Sequence, residues 1–138
     1  MKAILVIFGG TGDLAHRKLY PAIYNLFLSG ILPDNFALVS VGRRIKSNEE
    51  FRKEAAESIL RFSRPNSGDE SKLREILARF YYHVAEFYDI EAYKSLKSLL
   101  NDLDEKYGIE GNRIFYLAVA PEHFAPVVER IDRVGLHS

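Results

Sequence analysis

The sequence predicts an α/β fold built on a doubly wound parallel sheet. Three observations predict it: apolar segments of strand length alternate with segments of helical spacing, short loops join them, and the first apolar segment ends in a glycine-rich turn. Strands and helices that alternate in this way favour right-handed crossovers onto one parallel sheet. We therefore expect a Rossmann-like sheet with helices on both faces.

The first two strands are predicted where unbroken apolar runs occur. Residues 3–8 (AILVIF) have the pattern of a strand buried on both faces, and residues 36–41 (FALVSV) repeat it. Between them, a helix is predicted over residues 13–28, with Gly30 as its stop. Pro21 should kink that helix or restart it near the first position of a second piece, because its ring and missing amide do not suit a helix interior.

The middle of the chain predicts two helices and a strand. The first helix should begin at Ser47, which forms a capping box with Glu50. Its apolar stripe would comprise Phe51, Ala55, Ile59 and Leu60. Residues 63–70 (SRPNSGDE) are the clearest loop, since turn-forming residues are concentrated there. A shorter helix over residues 71–80 then leads to a third strand at 82–87.

The last third of the chain predicts a long helix, a strand and a final helix. Asp89 can cap the long helix and Gly108 can end it. Its inner face would carry Tyr93, Leu96, Leu100 and Leu103. The fourth strand is predicted at residues 113–119 (RIFYLAV), and a helix from Pro121 to about Gly135 follows.

The composition excludes several classes of protein and site. Of the 138 residues, 47% are hydrophobic and 28% are charged, as in ordinary soluble domains. The 19 basic and 19 acidic side chains cancel, so no global charge favours nucleic acid or a membrane surface. Without cysteine there are no disulfides or thiolate metal sites, and we predict no metal site. No apolar stretch approaches the roughly 20 residues of a membrane span, and no signal peptide precedes the first strand, so we expect a cytoplasmic protein.

The glycine-rich turn after the first strand, GGTGDLA at residues 9–15, has the spacing G-x-x-G-x-x-A. Gly9 would form the tight turn, Gly12 would let the main chain approach a pyrophosphate, and Ala15 would let helix and strand pack closely. The amides at the helix N-terminus would then face the anion. No G-K-[ST] follows, which excludes a P-loop. We therefore predict one dinucleotide-binding domain over residues 1–138, incomplete at its C-terminal end because a full Rossmann sheet has further strands.

The end of the second predicted strand is where such proteins select between the two nicotinamide cofactors. NAD sites place an Asp or Glu there for the ribose hydroxyls, yet residues 36–46 contain no acidic residue. Arg43 and Arg44 instead offer two guanidinium groups suited to a phosphate. We predict NADP as the cofactor, with NAD bound more weakly. The alternative is that both arginines simply belong to a solvated loop.

A longer string is more specific than the glycine turn. Residues 7–26 read IFGGTGDLAHRKLYPAIYNL, which resembles the G-[AG]-[ST]-G-D-L-A-x-R-K-L-x-P signature of the glucose-6-phosphate dehydrogenase family. The likeness continues, in the family's order, through FALVSVGRR, YHVAEFYD and RIFYLAVAP. The resemblance implies oxidation of glucose 6-phosphate to 6-phosphogluconolactone by hydride transfer to NADP, the first step of the pentose phosphate pathway. It also implies a C-terminal α+β domain beyond these residues and a homo-oligomer when the protein is complete.

The resemblance further implies roles for individual residues. The pyrophosphate would be lined by Thr11, Gly12, Asp13 and Leu14, beside the turn at Gly9. Arg43 would meet the adenosine 2′-phosphate, and Lys18 would reach toward the glucose 6-phosphate. The nicotinamide end would be bordered by Ala118, Ala120 and Pro121, where the family often has a cis-proline. Two departures from the family pattern are His16, where lysine is common, and Arg44, which could strengthen phosphate binding.

Catalysis is not assigned to any residue of this chain. The family's E-K-P-F-G and D-H-Y-L-G-K segments are absent from the 138 residues, and the resemblance places the catalytic histidine downstream. We therefore assign no catalytic role to His16, His83, His123 or His137. These residues should bind nucleotide without turning over substrate, because alcohol oxidation also needs a proton acceptor. The alternative is a stand-alone nucleotide-binding or redox-sensing module without catalysis, and a reading frame that continues into both segments would distinguish the two.

Some of these side chains also have purely structural interpretations. A lysine on a helix surface, such as Lys18, is normally solvated. Asp13 could simply cap the first helix. Aromatic residues at strand and helix spacing usually belong to the core. We expect this, rather than a cofactor stack, of Tyr81, Tyr82, Tyr88 and Tyr93.

Overall fold

The computed structural model describes residues 2–63 and 70–137. Within them, four strands form one parallel sheet in the order β3-β2-β1-β4. The strands are β1 Ala3–Phe8, β2 Phe36–Gly42, β3 Phe80–Val84 and β4 Arg113–Leu117. The predicted α/β class and its parallel, Rossmann-like sheet are confirmed.

Helices cover both faces of this sheet. The α-helices are α1 Tyr20–Leu28, α2 Asn48–Phe62, α3 Glu70–Leu77, α4 Ile90–Tyr107 and α5 Phe124–Val134. A π-helical turn, Ala15–Leu19, precedes α1, and a 3₁₀ turn, Pro121–His123, precedes α5. The first three helices pack on one face around Phe51, and α4 and α5 pack on the other face around Leu100. In the part of the chain that the structure describes, no helix combines the length and the apolar character needed to cross a membrane.

The helix predicted over residues 13–28 is interrupted. Helical backbone starts at Asp13, changes to the π-helical turn and resumes as α1. The Tyr20 amide donates to the Ala15 carbonyl across the π-helical turn, and Pro21 lies in the first turn of α1, where a missing amide costs little. The restart at Pro21 is confirmed, whereas the π-helical turn was not predicted.

The start of α2 agrees with the sequence, but its apolar stripe does not fully agree. The Ser47 hydroxyl accepts from the Glu50 amide at 3.1 Å, and the Glu50 carboxylate accepts from the Ser47 amide at 2.9 Å. The prediction for Leu60 was wrong, since its side chain is 73% exposed. Successive helical positions are about 100° apart, so Leu60 turns away from the face that buries Ile59. The predicted loop at 63–70 falls mainly on residues 64–69, outside the described residues.

The third and fourth strands differ from the prediction at their ends. α3 ends at Leu77 rather than at residue 80, and β3 spans Phe80–Val84 rather than residues 82–87. The strand covers the residues that pair with β2, from Phe80 beside Leu38 to Val84 beside Gly42. β4 ends at Leu117 rather than at residue 119, because the chain leaves the sheet at Ala118 to pass over Gly9. These shifts leave the predicted order of elements unchanged.

The long helix α4 is capped as predicted. The Asp89 carboxylate accepts from the Glu91 amide at 3.1 Å, and Gly108 ends the helix at φ 63°. The predicted inner face is buried: Tyr93, Leu96, Leu100 and Leu103. The expectation that the tyrosines belong to the core holds for Tyr82 and Tyr93, and Tyr81 packs partly buried against the core. It is wrong for Tyr88, which is 51% exposed because it lies in the turn before Asp89.

Candidate functional site

A cleft of about 390 Å³ opens at the carboxyl ends of β1, β2 and β4. From β1 the chain moves to β2 on one side and later returns to β4 on the other, so the strand order reverses here. Open parallel sheets bind ligands at such points. Six residues that were predicted to bind the cofactor line the cleft: Gly9, Thr11, Gly12, Arg43, Ala118 and Ala120.

Gly9 forms the tight turn at the end of β1. Its amide donates to the Val41 carbonyl at 2.8 Å, and its φ of 87° lies in the left-handed region that favours glycine. A Cβ at this position would overlap the carbonyl oxygen of Ala118 and lie 2.9 Å from Val119 Cγ1. The loops after β1 and β4 therefore approach each other so closely that only glycine fits between them.

Gly12 closes the same turn and begins the helix. Its amide donates to the Gly9 carbonyl at 3.0 Å, and its own carbonyl accepts from the His16 amide at 3.3 Å. Gly12 is therefore the N-cap residue, and Asp13 lies one position inside the helix. The Asp13 carboxylate is 3.6 Å from the Arg17 guanidinium. This pairing replaces the simple capping role that the sequence left open for Asp13.

The cleft carries positive charge. Arg43 and Arg44 line it, and no described aspartate or glutamate does. The Arg44 carbonyl accepts from the Tyr82 hydroxyl at 2.6 Å, which ties the loop after β2 to β3. Ahead of the arginines, a Cβ on Gly42 would lie 3.2 Å from Thr11 Cγ2, so the arginine loop touches the glycine turn. The arrangement suits a ligand whose anionic groups reach both loops.

Sequence reasoning missed three lining residues: Phe87, Val119 and His123. Val119 comes two positions after the end of β4, and such a position could have indicated it. Phe87 lies in the turn after β3 and His123 ends the 3₁₀ turn before α5, and the positions of both depend on tertiary packing. The His123 ring lies 6.5 Å from the Phe87 ring, and its Nδ1 is 2.7 Å from the Tyr88 hydroxyl oxygen.

Four predicted residues lie outside the lining of this cleft. Asp13 lines an adjoining cleft, while Leu14, which is 46% exposed, and Lys18, also exposed, line neither. Pro121 begins the 3₁₀ turn after the extended Ala120. The described residues contain no cis peptide bond. The cis-proline implied by the resemblance is therefore absent at Pro121.

The adjoining cleft, of about 400 Å³, shares Thr11 and Arg44 with the first and extends between the π-helical turn and α2. Charges of both signs line it: Asp13, Arg17, Arg44, Lys46, Glu54, Glu57 and Arg61. His16 lies in it, with Nδ1 2.6 Å from the Ser58 hydroxyl oxygen. No group of three or more potential metal ligands occurs among residues 2–63 and 70–137.

The environment of His16 disfavours its charged form. Burial lowers its pKa below the ordinary value of 6.5, Glu54 and Asp13 oppose that shift, and Lys46 adds to it. His83 is shifted in the same direction, again because of burial. At these two histidines the folded protein therefore binds fewer protons than the unfolded chain just below pH 6.5.

We expect the free energy of unfolding to fall as the pH decreases below 6.5, because each shifted histidine stabilises the fold only while neutral. His16→Asn keeps a polar group near Ser58 and removes one titration. Urea unfolding from about pH 7 to about pH 5 should show a shallower loss for the variant than for the wild type. Equal losses would show that His16 does not contribute.

Residues 6–138 match the family model described as glucose-6-phosphate dehydrogenase, NAD binding domain. The chain belongs to this family. Similar proteins include the glucose-6-phosphate 1-dehydrogenases of Chlamydia muridarum, 44% identical over 130 residues, and Bacillus subtilis, 42% identical over 135 residues. These alignments cover 94% and 98% of the chain but only 26% of each relative. The chain thus spans about a quarter of the length of the curated relatives it matches.

Solved structures agree with this assignment. A glucose-6-phosphate dehydrogenase in complex with its substrate glucose-6-phosphate is similar with a TM-score of 0.85 and 27% identity, over 96% of this chain and 27% of that chain. The Mycobacterium avium glucose-6-phosphate 1-dehydrogenase gives a TM-score of 0.82 at 25% identity, over 99% and 28%. The family predicted from the sequence is confirmed, and the chain is a nicotinamide-dinucleotide-binding domain.

Proposed function

We propose that the chain binds NADP in the cleft at the carboxyl ends of β1, β2 and β4, as the cofactor-binding part of a glucose-6-phosphate dehydrogenase. The observation that carries this proposal is that Arg43 and Arg44 line the cleft without an acidic neighbour in the described lining. A 2′-phosphate gains charge-assisted hydrogen bonds from a guanidinium group, whereas an uncharged ribose gains nothing comparable.

The glycine turn supports the same proposal at the pyrophosphate. The chain lacks side chains at Gly9 and Gly12, where a ligand must approach the backbone closely, and Thr11 lines the cleft between them. The amides of Asp13 and Leu14 belong to the first helical turn, whose N–H groups lack partners within the helix. These amides would receive pyrophosphate oxygens at the positive end of the helix dipole.

The nicotinamide end would lie beside Ala118 and Ala120, whose small side chains leave space next to β4. When bound, the nicotinamide supplies hydride acceptance, which no amino-acid side chain provides. In the proposed reaction a hydride from carbon 1 of glucose 6-phosphate would pass to that nicotinamide and the proton of the hydroxyl there would pass to a general base, a role assigned to none of these residues, giving 6-phosphogluconolactone. Lys18 is exposed on the π-helical turn, where its ammonium group is available to the sugar phosphate.

Calorimetric titration of the 138-residue chain with NADP and with NAD tests the proposed function. We expect NADP to bind at least about tenfold more tightly, since one charge-assisted contact to the 2′-phosphate is worth roughly 1.5–3 kcal/mol. The preference should weaken as salt is raised, because the arginines are exposed. Equal affinities for the two nucleotides would contradict the NADP assignment. Absence of binding would contradict the proposal that this cleft binds a nicotinamide nucleotide.

A further inference from the structure

We propose that two tyrosine hydroxyls position the two cofactor loops separately, with Tyr20 holding the glycine turn and Tyr82 holding the arginine loop. This inference rests on the proposed function, because it assigns each loop to a different part of the same nucleotide. The glycine turn meets the pyrophosphate, which NAD and NADP share. The arginine loop meets the 2′-phosphate, which only NADP carries.

Tyr20 reaches the glycine turn from the end of the π-helical turn. Its side chain is fully buried, and its hydroxyl donates to the Gly10 carbonyl at 2.6 Å. The hydroxyl also lies 3.2 Å from Ser40 Oγ on β2. A Cβ on Gly10 would overlap Ser40 Oγ and lie 2.7 Å from the Tyr20 hydroxyl, so glycine permits the close approach of both side chains. Tyr20 therefore fixes the turn that precedes Gly12.

Tyr82 makes the equivalent contact from β3. Its side chain is 8% exposed, and its hydroxyl donates to the Arg44 carbonyl at 2.6 Å. A Cβ on Gly42 would lie 2.6 Å from this hydroxyl, so here too a glycine permits the approach. Asn48 fixes the tyrosine in turn, because its side-chain oxygen accepts from the Tyr82 amide at 2.7 Å.

The two rings belong to one aromatic cluster, but the two hydroxyls act on different loops. Phe51 lies between them, with its ring centroid 5.6 Å from Tyr20 and 5.6 Å from Tyr82. Burial raises the pKa of both tyrosines, so both remain neutral donors near neutral pH. Replacing either tyrosine by phenylalanine removes the hydroxyl and retains the ring that packs against Phe51.

The two substitutions should have different effects on nucleotide choice. Tyr20→Phe should weaken NAD and NADP by the same factor, about threefold to tenfold for one lost hydrogen bond, and leave the ratio of their affinities unchanged. Tyr82→Phe should weaken NADP by a similar factor, leave NAD within about twofold, and so lower the preference for NADP. Calorimetric titration of both nucleotides measures each dissociation constant.

Tyr107→Phe is the matched control. The Tyr107 hydroxyl bonds that of Tyr81 at 2.7 Å, and neither residue lines the cleft. This control removes a tyrosine hydrogen bond without touching a cofactor loop, and it should bind both nucleotides as the wild type does. A change of nucleotide ratio in Tyr20→Phe, or equal losses in Tyr82→Phe, would overturn the inference. Failure of the wild type to bind either nucleotide would instead remove the proposed function.

Amide hydrogen exchange without nucleotide tests the positioning roles independently. The Gly12 amide is bonded to Gly9 within the turn, and the Ala85 amide is bonded to the Gly42 carbonyl beside the arginine loop. Tyr20→Phe should speed exchange at Gly12 and spare Ala85, whereas Tyr82→Phe should do the reverse. Unchanged exchange at both amides in both variants would show that the hydroxyls do not hold the loops.

Discussion

Arg43→Ala should weaken NADP binding by tenfold to about a hundredfold and leave NAD binding within about twofold. Arg43 is exposed at the mouth of the cleft, follows the buried Gly42 and faces no acidic lining residue in the part of the chain that the structure describes. Its guanidinium is therefore available to a phosphate instead of being committed to a carboxylate. Because NAD lacks the 2′-phosphate, its affinity should not change when the Arg43 guanidinium is removed.

Two comparison variants separate this effect from a change of net charge. Arg74→Ala removes the same charge from an exposed position on α3, away from the cleft, and should leave both affinities unchanged. Arg44 also lines the cleft and is the second guanidinium group available to the 2′-phosphate. Arg44→Ala should therefore weaken NADP binding less than Arg43→Ala does, and the double variant should weaken NADP binding most. Titration of each variant with both nucleotides decides the matter. If Arg43→Ala weakened the affinities for NAD and NADP equally, Arg43 would not bind the 2′-phosphate.

Those parts of the fold that depend on local signals could be predicted from the sequence. The apolar run of β1, the Ser47 capping box and the Gly108 stop each lie within a few residues of the feature they determine. The π-helical turn depends on contacts between segments instead. Tyr20 must reach both Gly10 and Ser40, and no spacing within residues 13–28 encodes that requirement.

The same distinction applies to the candidate site. Gly9, Thr11 and Arg43 could be predicted to share a cleft, because residues that follow parallel strands meet at one edge of the sheet. The contact between His16 and Ser58 could not, since 42 positions separate them and neither belongs to a recognisable motif. Their pairing depends on how α2 packs beside the π-helical turn. The cofactor roles of the lining residues remain predictions.

Comparing alanine substitutions at Gly9 and Gly30 measures how much the close contact around Gly9 contributes to stability. Both have positive φ, 87° for Gly9 and 74° for Gly30. A Cβ on Gly30 would meet no heavy atom within 4 Å, whereas one on Gly9 would overlap the Ala118 carbonyl oxygen. Gly30→Ala should therefore lower the free energy of unfolding only by the cost of a left-handed backbone, about 1–2 kcal/mol. Gly9→Ala should lower it by the same backbone cost and, in addition, by the cost of the overlap with Ala118.

Gly9→Ala should lower the free energy of unfolding by about 2–5 kcal/mol, the sum of the backbone cost and roughly 1–3 kcal/mol for overpacking. Relief of the overlap requires the loops after β1 and β4 to separate, and both line the cleft. NADP binding should therefore weaken in Gly9→Ala and persist in Gly30→Ala. Urea unfolding at about pH 7.5 gives the two stabilities, and titration of the folded variants gives the affinities. Equal destabilisation by the two substitutions would mean that the loop after β4 does not approach Gly9 as closely as the structure shows, and would contradict the tight contact between the two loops.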